Sequence, residues 1–327
     1  MSVVFLKIQK NMSVFSNKIQ TLRQKIDCRP KKLYDELEEE VRMAFKIAYL
    51  KSRNTESPVL GDFVEFAKER GAQFDFVTLD LNDIFPADVQ ALKQYDAILI
   101  QGAAYNRERV EDIARNLGLV TKCAFVEDFG NLTTQNRLFV TCISPKSLGE
   151  FRSTLKLGRE ATESIRHSEL EIERAARHAY EFAEKRKKTL DLVTIHTLGV
   201  AFEVWYRVAS EINEDYPSVE FDFGNCISYA VNSISGQKDY DVVLFVYGLF
   251  SQHVDLAEKE IGLEQGTSPI AYLGDTTVGM YGVNNPAAYS PLFDALAIGK
   301  MLENSFDLPT LAKDWNEQIV KVYCKTE

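Results

Sequence analysis

The sequence of 327 residues predicts an α/β protein of two lobes built on a largely parallel sheet, preceded by a separate amphipathic helix. Three observations lead there. Runs rich in β-branched and aromatic residues alternate with amphipathic helical stretches, the pattern of strands joined by helical crossovers. A chain of this length can bury a substantial core and divides naturally into two lobes. The charge then breaks at Lys32. Up to that residue there are eight Lys/Arg against one acid, Asp27, which leaves 30 basic and 47 acidic residues, a net of −17, to the other 295.

The predicted strands are Phe45–Leu50, Phe74–Leu79, Ala97–Ile100, Leu138–Ile143, Leu190–Ile195, Val219–Phe223, Val242–Tyr247 and Ile270–Leu273. The helices between them are Val59–Arg70, Arg107–Asn116, Ser168–Lys187, Val200–Ile212 and Ala287–Glu303, after a short charged helix over Leu33–Met43. No repeat or low-complexity linker separates the lobes, so they interleave along the chain. With 45% apolar and 26% charged residues this is the composition of a soluble globular protein. The net charge of −10 argues against nucleic acid as a partner. No apolar run reaches the length of a membrane-spanning helix. The five cysteines form no CxxC pair, which suits buried thiols in a reducing compartment.

In the basic segment Phe5, Ile8, Met12, Phe15, Ile19, Leu22 and Ile26 recur at steps of three and four. On a helix they make one narrow apolar stripe, which Pro30 ends. Such a stripe suits a mitochondrial targeting helix, a helix lying on a membrane surface, or a seam for a partner helix. A second apolar helical face, with Ala175, Ala179 and Phe182, also needs cover.

Several stretches together resemble the isocitrate/isopropylmalate dehydrogenase family. SELEIERAARHAYEFAEKRKK (Ser168–Lys188) is similar to that family's long helix and its basic turn. FEVWYRVASEINEDYPSVEFDFGNC (Phe202–Cys226) resembles its helix, turn and dimer-interface strand. DVVLFVYGLF (Asp241–Phe250) resembles the strand that enters its metal helix, and GDTTVGMYGVNNPAAYSPLFDALAIGKML (Gly274–Leu302) its C-terminal stretch. The resemblance implies the family's two-lobe α/β fold with an added N-terminal amphipathic helix. Its divisions would be 1–42 for the extension, 43–122 plus 250–327 for the large lobe, and 123–249 for a small lobe carrying the dimer interface. It also implies active sites formed between subunits.

The family's chemistry needs arginines for substrate carboxylates, aspartates for Mg²⁺ or Mn²⁺, and a Lys and a Tyr for proton transfer. Carried over by resemblance, the arginine positions fall on Ala114, Ala124 and Ser144, with Arg115 one residue from the first. The Tyr position becomes Phe151, which has no hydroxyl. The Lys position falls near Thr194, and no lysine occurs between Lys188 and Lys238. Two metal positions become Gly224 and Gln252, with Asp255 nearby. The glycine-rich loop reads Arg53–Val59, and the adenosine loop between Gly274–Asp275 and Asn285–Pro286 is short by about a dozen residues.

These substitutions predict a protein that is not an enzyme and carries no cofactor and no metal. The expected function is a structural or scaffold subunit of a larger mitochondrial assembly on the matrix side, such as a respiratory complex or the ATP synthase. The alternative is a regulatory subunit of NAD-dependent isocitrate dehydrogenase. Expected partners are proteins of that complex, a second copy or a paralogous subunit, and lipid at the N-terminal stripe. His167 and His178, eleven residues apart and so about 16 Å along a helix, are too distant to share a ligand and suit packing. The GMYG run (Gly279–Gly282) suggests a shortened connection better than a phosphate loop.

Overall fold

The computed structural model describes residues 44–51, 57–101, 107–127, 136–143, 155–157, 160–162, 167–194, 199–246, 250–261, 263, 267–275, 278–283 and 290–323. The N-terminal stripe, Phe5 to Ile26, lies outside them, as do Ser144, Phe151 and the predicted helix Leu33–Met43. The strands are β1 (Ala44–Lys51), β2 (Gln73–Asp80), β3 (Ala97–Ile100), β4 (Thr121–Val126), β5 (Arg137–Cys142), β6 (Leu155–Leu157), β7 (Glu160–Thr162), β8 (Thr189–Thr194), β9 (Glu220–Asn225), β10 (Val242–Phe245), β11 (Pro269–Leu273) and β12 (Gly279–Val283). The helices are α1 (Pro58–Glu69), α2 (Arg107–Leu117), α3 (Glu169–Lys185), α4 (Val200–Asn213), α5 (Cys226–Ser235), α6 (Phe250–Glu260), α7 (Pro291–Asn304) and α8 (Pro309–Tyr323).

Ten strands form one sheet in the order β2-β1-β3-β12-β11-β4-β5-β10-β8-β9. Two parallel blocks, β2-β1-β3-β12 and β5-β10-β8-β9, run in opposite directions. The antiparallel strands β11 and β4 reverse the direction between them. β6 and β7 form a separate two-stranded sheet.

Both faces of the sheet are covered, so strands in the middle carry apolar residues on both sides, as in β4 and β5, where all positions are buried. One face packs against α1, α3, α4, α7 and α8, with Phe63, Tyr180, Trp205 and Trp315 at its centre. The other packs against α2, α5 and α6 through Val110, Ile113, Tyr229 and Val254. α7 is buried from Phe293 to Leu302, because it lies under α8 as well as over the sheet. Its polar residues are therefore paired. Tyr49 Oη donates to Asp294 at 3.2 Å, and Lys300 Nζ meets Glu127 at 2.6 Å and Glu303 at 2.9 Å.

Most predicted elements form within a residue or two. β4 and β12 are additions, and their composition explains why. β4 reads TKCAFV, with only three strong β-formers and a lysine inside the sheet. β12 reads GMYGV and looks like a turn, yet all five residues are buried between β3 and β11. Gly279 is there for space: a Cβ on it would lie 2.5 Å from the Tyr281 hydroxyl. GMYG is thus a core strand rather than a connection. α7 starts at Pro291, later than Ala287, where Ser290 Oγ accepts from Leu292 N at 3.3 Å. The apolar face of α3 needs no outside cover either. Ile172, Ala175, Ala176, Ala179, Tyr180 and Ala183 are buried against this chain's own sheet and α4.

The turn after α3 is tightly held. Arg186 Nε donates to Asp241 at 2.8 Å, Lys187 N donates to the same carboxylate at 2.8 Å, and Lys188 N closes on Ala183 O at 3.0 Å. Lys188 pays for this geometry with φ +64°, a left-handed conformation that disfavours any side chain bearing a Cβ. Lys188→Gly is therefore expected to stabilise the protein by about 0.5 kcal/mol, after the extra chain entropy of glycine is set against relieved strain. A rise in the urea midpoint with unchanged slope would register it.

Candidate functional site

The carboxyl ends of β5, β10, β8 and β9 lie side by side, and α4, α5 and α6 begin just beyond three of them. In open α/β sheets such edges hold ligands, because loops and helix N-termini converge there. The register places Thr194 opposite Asn225 and Val193 opposite Gly224. Thr194 and Gly224 are thus brought together on neighbouring strands, and Gln252 follows in the first turn of α6, exposed. Asn225 is committed to its helix: its Oδ1 accepts from Ser228 N at 2.8 Å. Among the described residues no group of three His, Cys, Asp or Glu could hold a metal ion. A glycine and an exposed amide do not fit Mg²⁺ or Mn²⁺, which take carboxylate-rich oxygen cages.

Ala114 and Ala124 are buried apolar positions on α2 and β4. Cations nevertheless stand beside them. Lys122, almost fully buried at the start of β4, has its ammonium 3.6 Å from Glu111 and 5.7 Å from the Tyr272 ring centre. Arg115 pairs with Glu111 at 3.5 Å and with Asp112. This corner of α2, β4 and β11 gathers two cations with two carboxylates. The sequence reading found Arg115 and missed Lys122. The signal for it was a lysine next to the apolar run Cys123–Val126.

His167 and His178 serve packing. Trp205 Nε1 donates to His167 Nδ1 at 3.0 Å. His178 shares a 2.9 Å hydrogen bond with Thr121 Oγ1, joining α3 to β4. Burial pushes the His178 imidazole below its ordinary value of 6.5, outweighing the opposite pull of Glu181, Asp275 and the Arg174 carbonyl.

A second feature lies at the edge of the sheet. On α5, Ile227, Val231 and Ile234 recur at steps of four and three and are 55–72% exposed. At the same sheet edge, on the side that α4 covers, the ring centre of Phe223 on β9 lies 4.8 Å from that of Tyr206 and 5.5 Å from that of Phe202, both on α4. Val200 at the start of α4 is exposed too. The sequence reading placed a dimer surface near β9 but overlooked α5, whose own stripe is short.

The architecture is that of a known class. It is similar to isocitrate dehydrogenase from Methylococcus capsulatus, with a TM-score of 0.68 and 17% identity over 85% of this chain and 91% of that one. It is also similar to a β-decarboxylating dehydrogenase from Thermococcus kodakarensis in its apo form, with a TM-score of 0.62 and 14% identity over 86% and 99%. No protein-family model matches the sequence. Among curated proteins it is similar to 3-isopropylmalate dehydrogenase of Clostridium acetobutylicum, 25% identical over 173 residues, 50% of this chain and 47% of that one. The enzyme of the same name from Corynebacterium diphtheriae is 27% identical over 227 residues, 63% and 65%. The chain spans about half the length of the first of these curated relatives. It is a homologue of the isocitrate/isopropylmalate dehydrogenases and carries their mixed α/β fold.

That relationship corrects one expectation. The sequence reading excluded an enzyme, whereas the relatives are named as dehydrogenases and point to one. The exclusion rested on side chains lost one position at a time. Phe151 and residues 276, 277 and 284 of the adenosine loop lie outside the described residues, and the count of missing arginines left out the cation at Lys122.

Because His178 is held neutral in the fold, its contribution to stability is full above pH 6.5. It declines as the pH falls from there through the lowered folded value, where the unfolded chain takes up a proton first. The acid limb of stability is expected to steepen by up to about 1.4 kcal/mol per pH unit over that window. His178→Gln, which keeps a partner for Thr121, flattens it in urea titrations from pH 7.5 to 5.

Proposed function

We propose that the chain is an assembly subunit on the isocitrate/isopropylmalate dehydrogenase fold, pairing through the sheet edge formed by β9 and flanked by α4 and α5 with a second copy or a related chain. The exposed row Ile227, Val231 and Ile234 on α5 carries the proposal, and Phe223 and Tyr206, exposed at the same sheet edge on the side covered by α4, add apolar surface. Apolar surface gathered on one face rather than scattered marks an interaction site. α5 has no charged residue, so a like surface meets no repulsion across a two-fold axis. The small sheet β6–β7 adds support, since two three-residue strands need further packing to be stable. In this proposal the basic N-terminal stripe Phe5, Ile8, Met12, Phe15, Ile19, Leu22 and Ile26 fastens the pair to a larger mitochondrial complex on the matrix side. It would do so through acidic protein surface or anionic headgroups.

Ile227→Glu with Val231→Glu is expected to convert the pair to monomers in sedimentation, weakening association at least about 100-fold. Both side chains face solvent, so the melting temperature should stay near wild type. A wild-type chain that sediments as a monomer at tens of micromolar, or a variant that still pairs, would overturn the proposal.

A second reading draws on Lys122 and Arg115 and on the likeness to an isocitrate dehydrogenase. Here the chain regulates a related catalytic partner by taking up an acidic small molecule at the α2–β4 corner. Citrate, isocitrate, 3-isopropylmalate, ADP and NAD would then be compared by thermal shift. This reading expects a carboxylate ligand to raise the melting temperature and Lys122→Met to abolish the rise; a flat panel removes it.

A further inference from the structure

The inner side of α5 is anchored by two residues one helical turn apart, Tyr229 and Ser233. Tyr229 sits among Tyr240, His253 and Phe245, with ring centres at 4.5, 5.3 and 5.4 Å. Ser233 belongs to a largely buried ionic triad. Arg137 Nη1 donates to Ser233 Oγ at 2.6 Å and to Glu260 Oε2 at 2.6 Å. The serine hydroxyl in turn donates to the same carboxylate at 3.0–3.1 Å. Arg137 opens β5 and Glu260 ends α6, so three elements meet at one hydroxyl.

The chemistry of this anchor is unusual for its place. Arg137 is only 2% exposed, and a buried guanidinium is costly unless its partners are well aligned. An aliphatic contact would let α5 slide or roll. A charge-assisted bond to one hydroxyl fixes direction as well as distance. One residue of a helix subtends about 100°, so a modest roll would carry Ile227, Val231 and Ile234 off a common line. We infer that Arg137, Ser233 and Glu260 are positioning residues for the pairing face, fixing the roll of α5 from behind without touching the partner. This inference rests on the pairing proposed above.

The test uses the full chain in three forms. Ser233→Ala removes the tether and leaves the Arg137–Glu260 ion pair. Ser233→Thr keeps a hydroxyl. Arg137→Met with Glu260→Met removes both charges together, so neither is left buried alone. Association is followed by sedimentation, amide exchange of α5 by mass spectrometry, and global stability by melting. Ser233→Ala and the double variant are expected to pair about tenfold more weakly and to exchange α5 amides faster, with little change in melting temperature. Ser233→Thr should pair as wild type. If the double variant does not fold, the Ala and Thr pair at Ser233 decides. Wild-type association in Ser233→Ala overturns the clamp when Ile227→Glu with Val231→Glu, run in parallel, abolishes pairing. If that control also pairs normally, the pairing face itself is wrong and the clamp falls with it.

Discussion

The fold depends on the junction where the sheet reverses direction. Two parallel blocks that run opposite ways can share one sheet only through antiparallel neighbours, and β11 and β4 supply them. β4 is buried throughout and β11 in all but its last residue, where an amide left unpaired would be costly. Their ladders must therefore be whole. Helices cross the seam above them: Phe125 of β4 meets Phe182 of α3 with ring centres 6.0 Å apart and Lys300 of α7 at 5.1 Å. Ions cross it as well, from Lys300 through Glu127 to Arg186 and on to Asp241. The charges in this row sit where both helices leave little access for water, so each is matched by an opposite neighbour.

Much of the fold was legible in the sequence because period and composition agreed. Ala97–Ile100 and the core of α3 could be read directly, since four consecutive apolar residues and a clean helical stripe have few other uses. Reading failed where tertiary context overruled local signals. Two glycines argued for a turn at β12, yet at Gly279 the Tyr281 side chain fills the space a Cβ would need. The lysine in β4 argued against a buried strand, yet Glu111 lies beside it.

The site was less legible, for a different reason. Losses at single positions are easy to see in a sequence, and compensating side chains from elsewhere are not. Thr194 and Gly224 come to lie on neighbouring strand ends, one register step apart, which no local signal announced. Lys122 reaches its corner from a strand that was not recognised, so its charge was never weighed against the missing arginines. Names attached to relatives then corrected what side-chain subtraction had concluded.

The first parallel block is assembled from both ends of the chain. β1, β2 and β3 are complete by Ile100, but β12, which lies between β3 and β11, arrives only at Gly279. On a ribosome, or during threading across a membrane, β3 therefore waits with an unpaired apolar edge while some 180 further residues emerge. Its backbone amides are a template for any passing strand during that interval. The nascent chain is thus at its most vulnerable in the middle of synthesis, when a holding chaperone matters more than one that acts on the finished polypeptide.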